Sequence, residues 1–476
     1  MLPSYTEAFK AYDIRGLYGR QIDEQFCFIL GHAVGSRQLQ VHAFPQILIG
    51  GDSRPANNSL IYCFLGGLRY AGIDEVTILN LPTKEKGIEC KRGVASTPLI
   101  YYCTQNTFDL GISFTASHNT KEYVGIKMCD KNVILTDTSF LKSLFELSYT
   151  KLFTVDIPKS LDGLTINYHE TIFDSLSSLS AFLHRSNQLV SADFSFAVDY
   201  CHGATTGYER DFLSSIPTKK IIHINGYPDG TFPVHDSETQ HAHNYHQVID
   251  AINEHNLDFG IMFDGDGDRI GFVTQQGRIM PGDMVGSIIA SYLLHQTNHD
   301  KEPIVLYDVM SSKNIEKIVG RLGGKTVITR VGRYFINHQL REYNGLFASE
   351  CSAHYLFGSL GGYEMPLYAL IIMMHMAKKY GGFDELYHAY SPMSIKSPVY
   401  DISIKEKDHV IDTVRNYFVS YPIATIDGIN IMAESFRITV RASNTSDKIR
   451  YCVEADTQEE YNTLLQTIQK ILDQFK

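Results

Sequence analysis

The sequence predicts an α/β fold built on mixed or parallel sheets with helices on both faces, followed by a C-terminal domain of α+β type. Three observations predict it. Short β-rich apolar runs repeatedly end in small or polar turns and lead into longer amphipathic stretches, which is the grammar of buried strands alternating with helices. From about residue 394 onward the pattern changes to antiparallel-type strands and a closing amphipathic helix. The chain has 476 residues; at roughly 150 residues per domain this corresponds to about three domains, or four small ones.

The elements follow in order. QILIGGDSRPANN at 46–58 reads as a strand and polar turn before the helical SLIYCFLGGLRYAG at 59–72. DLGISFTASHNT at 109–120 and FSFAVDYCHGATTG at 194–207 are further strands ending in polar turns, and Phe259 to Phe263 is an apolar strand run. IVLYDVMSS at 304–312 precedes the helical KNIEKIVGRLGG at 313–324. FRITVRASN at 436–444 and KIRYCVEAD at 448–456 suggest antiparallel strands, and EEYNTLLQTIQKILDQF at 459–475 is an amphipathic helix. The polar stretch from Leu161 to Ser180 and the region from Gly381 to Ser397 read as joints. In sheets of this kind ligands gather at the carboxyl ends of strands, so the polar turns are the first places to look for chemistry.

Composition narrows the function. Hydrophobic residues at 44% and charged residues at 20% exclude wholesale disorder and fibrous classes. A formal charge of −11 argues against nucleic acid or an anionic membrane as the general partner. The apolar stretch from Met365 to Ala377 is shorter than the roughly 20 residues that span a bilayer. The N-terminal MLPSYTEAFK lacks a secretory core, and the eight cysteines are scattered without C-x-x-C pairs. A cytoplasmic protein with reduced thiols is expected.

Four turns carry candidate chemistry. Asp264-Gly265-Asp266-Gly267-Asp268-Arg269 follows the apolar run at 259–263. Alternating glycines let the backbone curl so that three carboxylates converge, and such a trio suits a hard, oxygen-ligated divalent cation such as Mg²⁺. A plain Asp/Gly surface turn is the alternative. An EF-hand is excluded because Arg269 and Gln275 stand at positions six and twelve. A P-loop at Gly324-Lys325-Thr326 is excluded because its first glycine position holds Val319.

Thr115-Ala116-Ser117-His118-Asn119 offers a serine able to act as nucleophile or, once phosphorylated, as phosphoryl donor, beside an imidazole; Lys127 follows as base or charge stabiliser. A hydroxyl capping the next helix is the alternative. Arg441-Ala442-Ser443-Asn444-Thr445 with Arg450 has the donors to wrap a phosphate, or forms an ordinary hairpin turn. Glu350-Cys351-Ser352-Ala353-His354 supplies an acceptor, a hydroxyl and an imidazole suited to sugar hydroxyls or proton transfer.

Together with Phe9 to Gly16 (FKAYDIRG) and Pro228-Asp229-Gly230 preceding Phe232-Pro233, these turns occur in an order that resembles the α-D-phosphohexomutase superfamily, particularly its phosphomannomutase/phosphoglucomutase branch. The resemblance spans nearly the whole chain. It implies three related mixed-sheet α/β domains and a C-terminal α+β domain around a central cleft, with boundaries at 1–160 (phosphoserine loop), 161–278 (metal loop), 279–393 (sugar loop) and 394–476 (phosphate-binding loop). By resemblance, Ser117 is the phosphoserine. Asp264, Asp266 and Asp268 hold Mg²⁺ with a Ser117 phosphoryl oxygen, and Arg15, His118, Lys127 and Arg269 surround the transferring group. Tyr12, Glu350, Ser352 and His354 are implied for the sugar, and Arg441, Ser443, Asn444, Thr445 and Arg450 for the phosphate that is not reacting.

The implied reaction interconverts hexose 1-phosphate and hexose 6-phosphate, of mannose and/or glucose, through a hexose 1,6-bisphosphate that also serves as activator. The expected partners are hexose phosphates, without nucleic acid or membrane, and the expected state is monomer or homodimer. A phosphoglucosamine mutase, a catalytically weak sugar-phosphate-binding relative and a phosphatase are the alternatives. Thr120 and Val124 depart from the usual family residues near the serine loop; Ser349 and Ala353 do so in the sugar loop, and Met310 and Arg333 at further family positions.

Overall fold

The computed structural model describes residues 4–11, 13–79, 81–85, 88–105, 107–168, 173–297, 302–391, 394–404, 406–442 and 448–475. The chain divides into two compact units, Met1–Met280 with Leu360–Glu385, and Pro281–Ser359 with Leu386–Lys476.

The first unit holds two mixed sheets. In the first, strands run in the order Ile14–Leu17, Tyr123–Asp130, Leu110–Phe114, Ile47–Gly51, Glu75–Ile78, Thr165–Asn167. Ile47–Gly51 and Leu110–Phe114 are parallel neighbours and every residue of both is buried, which is why they read as unbroken apolar runs. Tyr123–Asp130 turns back antiparallel to Leu110–Phe114 and sets Lys127 opposite Ser113. Helix Glu24–Val41 starts at Asp23, whose carboxylate accepts from the Phe26 amide at 2.8 Å. Its Phe26 packs 4.7 Å from the Phe145 ring in the core beneath the sheet. The stretch read as a joint at 161–180 is structured in part, because Thr165–Asn167 pairs with Glu75–Ile78 and helix Phe173–Asn187 begins within it.

The second sheet runs Lys220–Ile224, Ser195–Asp199, Phe259–Phe263, Ile270–Thr274, Ile279–Met280. The first three strands are parallel and Ile270–Thr274 returns antiparallel, so the Asp/Gly turn is the hairpin between two fully buried strands. The apolar helix Pro366–Tyr380 packs here: Tyr368 meets Phe182, and His375 Nε2 lies 2.9 Å from the Ser186 carbonyl. Just beyond it the Phe383 ring stacks on Phe259 at 4.0 Å, and Asp384 accepts from Thr274 Oγ1 at 2.7 Å. This segment falls inside the third predicted domain along the chain and packs within the first unit.

In the second unit, strands Lys325–Thr329, Ile304–Asp308, Phe347–Ser349 and Tyr355–Phe357 follow one another, the first three parallel and the last antiparallel. The second sheet of the first unit and this one thus share one plan: parallel strands, then an antiparallel return whose turn carries the polar motif. The C-terminal sheet is antiparallel, with Phe436–Ala442 between Ile429–Met432 and Lys448–Ala455. Helices Lys407–Tyr417 and Gln458–Leu472 complete its core through Val410, Val414 and Ile468. The second expected joint is also structured: helix Phe383–Tyr390 and strand Ile395–Lys396 occupy much of 381–397.

Cys27, Cys63, Cys103, Cys129, Cys201, Cys351 and Cys452 are free thiols. No helix among the described residues is long and apolar enough to cross a membrane. Phe383→Ala is expected to lower the unfolding free energy of the first unit by about 3–5 kcal/mol, the scale for deleting a buried aromatic ring, as measured by urea titration.

Candidate active site

The acidic loop owes its shape to its glycines. Gly267 has φ +70, a left-handed conformation. A Cβ on Gly265 would lie 2.6 Å from the Ser117 carbonyl oxygen, so only glycine lets this hairpin press against the serine loop. Asp264, Asp266 and Asp268 are fully buried, with carboxylate oxygens within 4.8 Å of one another. Burial, then the charges of Asp268 and Asp266, push the Asp264 carboxyl well above the ordinary carboxylate range, and Arg269 and Lys127 oppose the shift.

Ser117 sits on this trio. Its Oγ donates to Asp264 Oδ2 at 3.0 Å and lies 3.2 Å from His118 Nδ1. It adopts φ 54, and its amide is held by Thr115 Oγ1 at 2.8 Å. Lys127 Nζ contacts Asp266 Oδ2 at 2.5 Å and Asp268 Oδ2 at 2.8 Å. Arg269 Nε lies 3.7 Å from Asp264 Oδ2, and Nη2 lies 2.8 Å from His118 Nδ1. Arg15 Nη1 donates to Asn119 Oδ1 at 2.8 Å, which places Arg15 at the edge of the serine loop. Ser117, His118, Lys127, Arg15, Arg269 and the three aspartates are therefore one constellation within the first unit.

Three residues that the sequence reading did not single out complete it. Arg54 is buried and fans over the serine loop, donating to the carbonyls of Ser117 (2.9 Å), Asn119 (2.6 Å), Thr120 (2.7 Å) and Tyr123 (2.8 Å), with Nε on Asp52 at 3.1 Å. Thr97 Oγ1 donates to Asp266 Oδ2 at 2.5 Å. Glu238 accepts from Arg269 Nη1 at 2.8 Å and places its other oxygen 3.4 Å from His118 Nε2. An arginine donates only, so His118 Nδ1 accepts and its ring proton sits on Nε2, facing Glu238.

The second unit holds the other predicted turns. Glu350 Oε2 lies 2.8 Å from His354 Nδ1, and Ser352 Oγ lies 3.0 Å from the same nitrogen. Arg441 and Arg450 are cross-strand partners. Arg441 is buried with Nε 2.8 Å from Asp427 Oδ2, whereas Arg450 is partly exposed and donates to Asp401 at 3.0 Å. The two turns are joined, because the Gly332 amide donates to Glu350 at 2.9 Å and the adjacent Val331 amide to Asp427 at 3.1 Å. Tyr12, Ser443, Asn444 and Thr445 lie outside the described residues.

Four family models match in succession along the chain: phosphoglucomutase/phosphomannomutase α/β/α domain I at 6–151, domain II at 174–277, domain III at 281–393 and the C-terminal domain at 397–471. The chain belongs to the phosphoglucomutase/phosphomannomutase family. It is 32% identical to a phosphomannomutase of Methanocaldococcus jannaschii, over 98% of this chain and 97% of that protein. A phosphoglucomutase/phosphomannomutase family protein from Burkholderia thailandensis superposes with a TM-score of 0.79 at 22% identity, covering 98% and 97% of the two chains. An Aspergillus fumigatus N-acetylphosphoglucosamine mutase, solved with GlcNAc-6P and magnesium, superposes at 0.55 and 14% identity over 79% of this chain and 91% of that one.

Membership in the phosphoglucomutase/phosphomannomutase family gives the departures a structural meaning. Ala353 has φ 71, a conformation that costs an L-residue roughly 1 kcal/mol or more. Met310 packs with Val309 and Cys452 in an apolar cluster. Thr120 supplies a carbonyl to Arg54, and Val124 is buried in the first core. Arg333 is buried as the first residue of helix Arg333–Glu342. Arg54→Lys removes the planar fan that ties four carbonyls together. Hydrogen-exchange mass spectrometry is expected to show faster exchange across 115–123 in this variant, with the C-terminal sheet unchanged.

Proposed function

We propose that this chain is a phosphohexomutase that interconverts the 1- and 6-phosphates of mannose and/or glucose through a phosphoserine at Ser117 and a hexose 1,6-bisphosphate intermediate. The observation that carries this reading is the serine hydroxyl 3.0 Å from Asp264 in a buried acidic trio flanked by Lys127 and Arg269. Family membership and the names of the relatives supply the substrate class.

The donor set suits a hard cation, since it is all oxygen, buried, and within 4.8 Å. Asp264, Asp266 and Asp268 with a Ser117 phosphoryl oxygen would hold Mg²⁺, which would offset charge on the phosphoryl group. The protein's own groups do the rest. Arg269 and Lys127 stabilise charge on the equatorial oxygens. As a sugar oxygen gains phosphorus it loses its proton; the Ser117 Oγ–P bond breaks, its electron pair stays on Oγ, and Oγ takes up a proton. His118 Nδ1, 3.2 Å from Oγ, is placed to carry that proton once Arg269 turns from it to the phosphoryl oxygens. The bisphosphate then turns over and returns its other phosphoryl group to Oγ by the same steps reversed. Glu350, Ser352 and His354 recognise sugar hydroxyls, with Tyr12 assigned to the same task by resemblance. Arg441, Arg450, Ser443, Asn444 and Thr445 grip the phosphate that is not reacting, which two-ended chemistry requires.

Incubation with glucose 1,6-bisphosphate is expected to add one phosphoryl mass to the protein and none to Ser117→Ala; labelling that survives the substitution refutes the assignment. Glu238→Gln keeps the shape of the side chain and removes the charge that orients Arg269 and His118. It is expected to lower kcat by about 10–100-fold, the scale for loss of a supporting partner, in a coupled mutase assay.

A further inference from the structure

The loop that carries Glu238 also carries a cluster that phosphoryl transfer does not use. Asp236, His241 and His243 each offer a ligand atom, and the three atoms lie within 4.8 Å of one another. His241 Nδ1 is 3.2 Å from both oxygens of Asp236, and His243 Nε2 is 3.9 Å from Oδ2. The two imidazoles stack with centroids 5.2 Å apart. Ligand atoms around a tetrahedral Zn²⁺, at bond lengths of about 2.0–2.1 Å, are separated by about 3.3 Å. The side chains therefore stand close to the spacing such an ion requires.

The backbone beneath them is fixed by other bonds. Asn244 is fully buried and its amide donates to Asp236 Oδ1 at 2.6 Å and to the Glu238 carbonyl at 2.9 Å. Tyr245 Oη donates to the Thr239 carbonyl at 2.8 Å, and the His241 amide to the Glu238 carbonyl at 3.2 Å. The donors face solvent, with side-chain exposures of 34% for Asp236, 51% for His241 and 71% for His243. The neighbouring cluster of Asp199, Cys201 and His235 is different: Asp199 and Cys201 are buried, away from the solvent that would complete a coordination shell.

We propose that Asp236, His241 and His243 form a surface site for a borderline transition-metal ion of the Zn²⁺ type, with water completing the coordination. Two imidazole nitrogens and one carboxylate favour such an ion over Mg²⁺, which suits the all-oxygen trio at 264–268. The site is distinct from the proposed catalytic one and its existence does not depend on the mutase reaction. It adjoins that site through Glu238, whose amide donates to Asp236 Oδ1 at 3.1 Å.

The test uses untagged full-length protein in saturating Mg²⁺, so that the acidic trio is occupied. Zn²⁺ is titrated by calorimetry, and Co²⁺ is followed by its visible absorption. Wild type is expected to bind Zn²⁺, and His243→Ala and His243→Gln to weaken that binding by at least about tenfold, the lower end of what losing even an outer-shell partner costs a metal site. Position 243 is exposed, so these variants leave the core intact. Equal Zn²⁺ affinity and stoichiometry in wild type and both variants, or no Co²⁺ absorption in wild type that is absent from the variants, overturns the proposal.

Discussion

Three carboxylates buried without solvent and held within 4.8 Å of one another repel strongly, and the first unit is organised around offsetting them. Lys127 reaches Asp266 and Asp268 from the strand paired with the serine strand, and Arg269 approaches Asp264 from the end of the acidic hairpin itself. The cation that faces Asp266 and Asp268 thus comes from a different element, and the one that faces Asp264 from the same hairpin. The same requirement explains why the serine hydroxyl is found here: it donates to a carboxylate that burial and like-charged neighbours have made costly to ionise.

A second constraint keeps this arrangement in place. The serine loop has left-handed backbone at Ser117, and the guanidinium of Arg54 takes up four of its carbonyls. Arg54 is itself anchored by Asp52 and covered by the Phe232 ring, whose Phe232-Pro233 segment leads into Glu238. Strand end, serine loop and acidic hairpin are thus tied to one another, an arrangement suited to phosphoryl transfer, which depends on alignment more than on covalent chemistry.

Much of this was legible in the sequence because it is local. Apolar runs such as 110–114 and 259–263 announce buried strands, and the polar turns after them place the candidate residues; Asp, Gly and Ser at fixed offsets within one short segment make those turns readable. Glu238 and Arg54 were illegible for the opposite reason. Glu238 meets Arg269 31 residues away, and Arg54 meets the serine loop at separations of 63 to 69 residues, so no window holds both partners. A signal existed for Arg54: a buried strand ending in Asp52-Ser53-Arg54 sets a charged pair where water is excluded. The joints at 161–180 and 381–397 read as linkers, yet two short strands and two helices use those residues.

The successive amides of Val331 and Gly332 bridge Asp427 and Glu350, and through Asp427 they reach Arg441. One peptide turn consequently sets the interval between Glu350 and the guanidinium of Arg441. On the proposed chemistry the same interval serves a phosphate borne on a ring carbon and one borne a carbon further out, because the sugar is held by either end in turn.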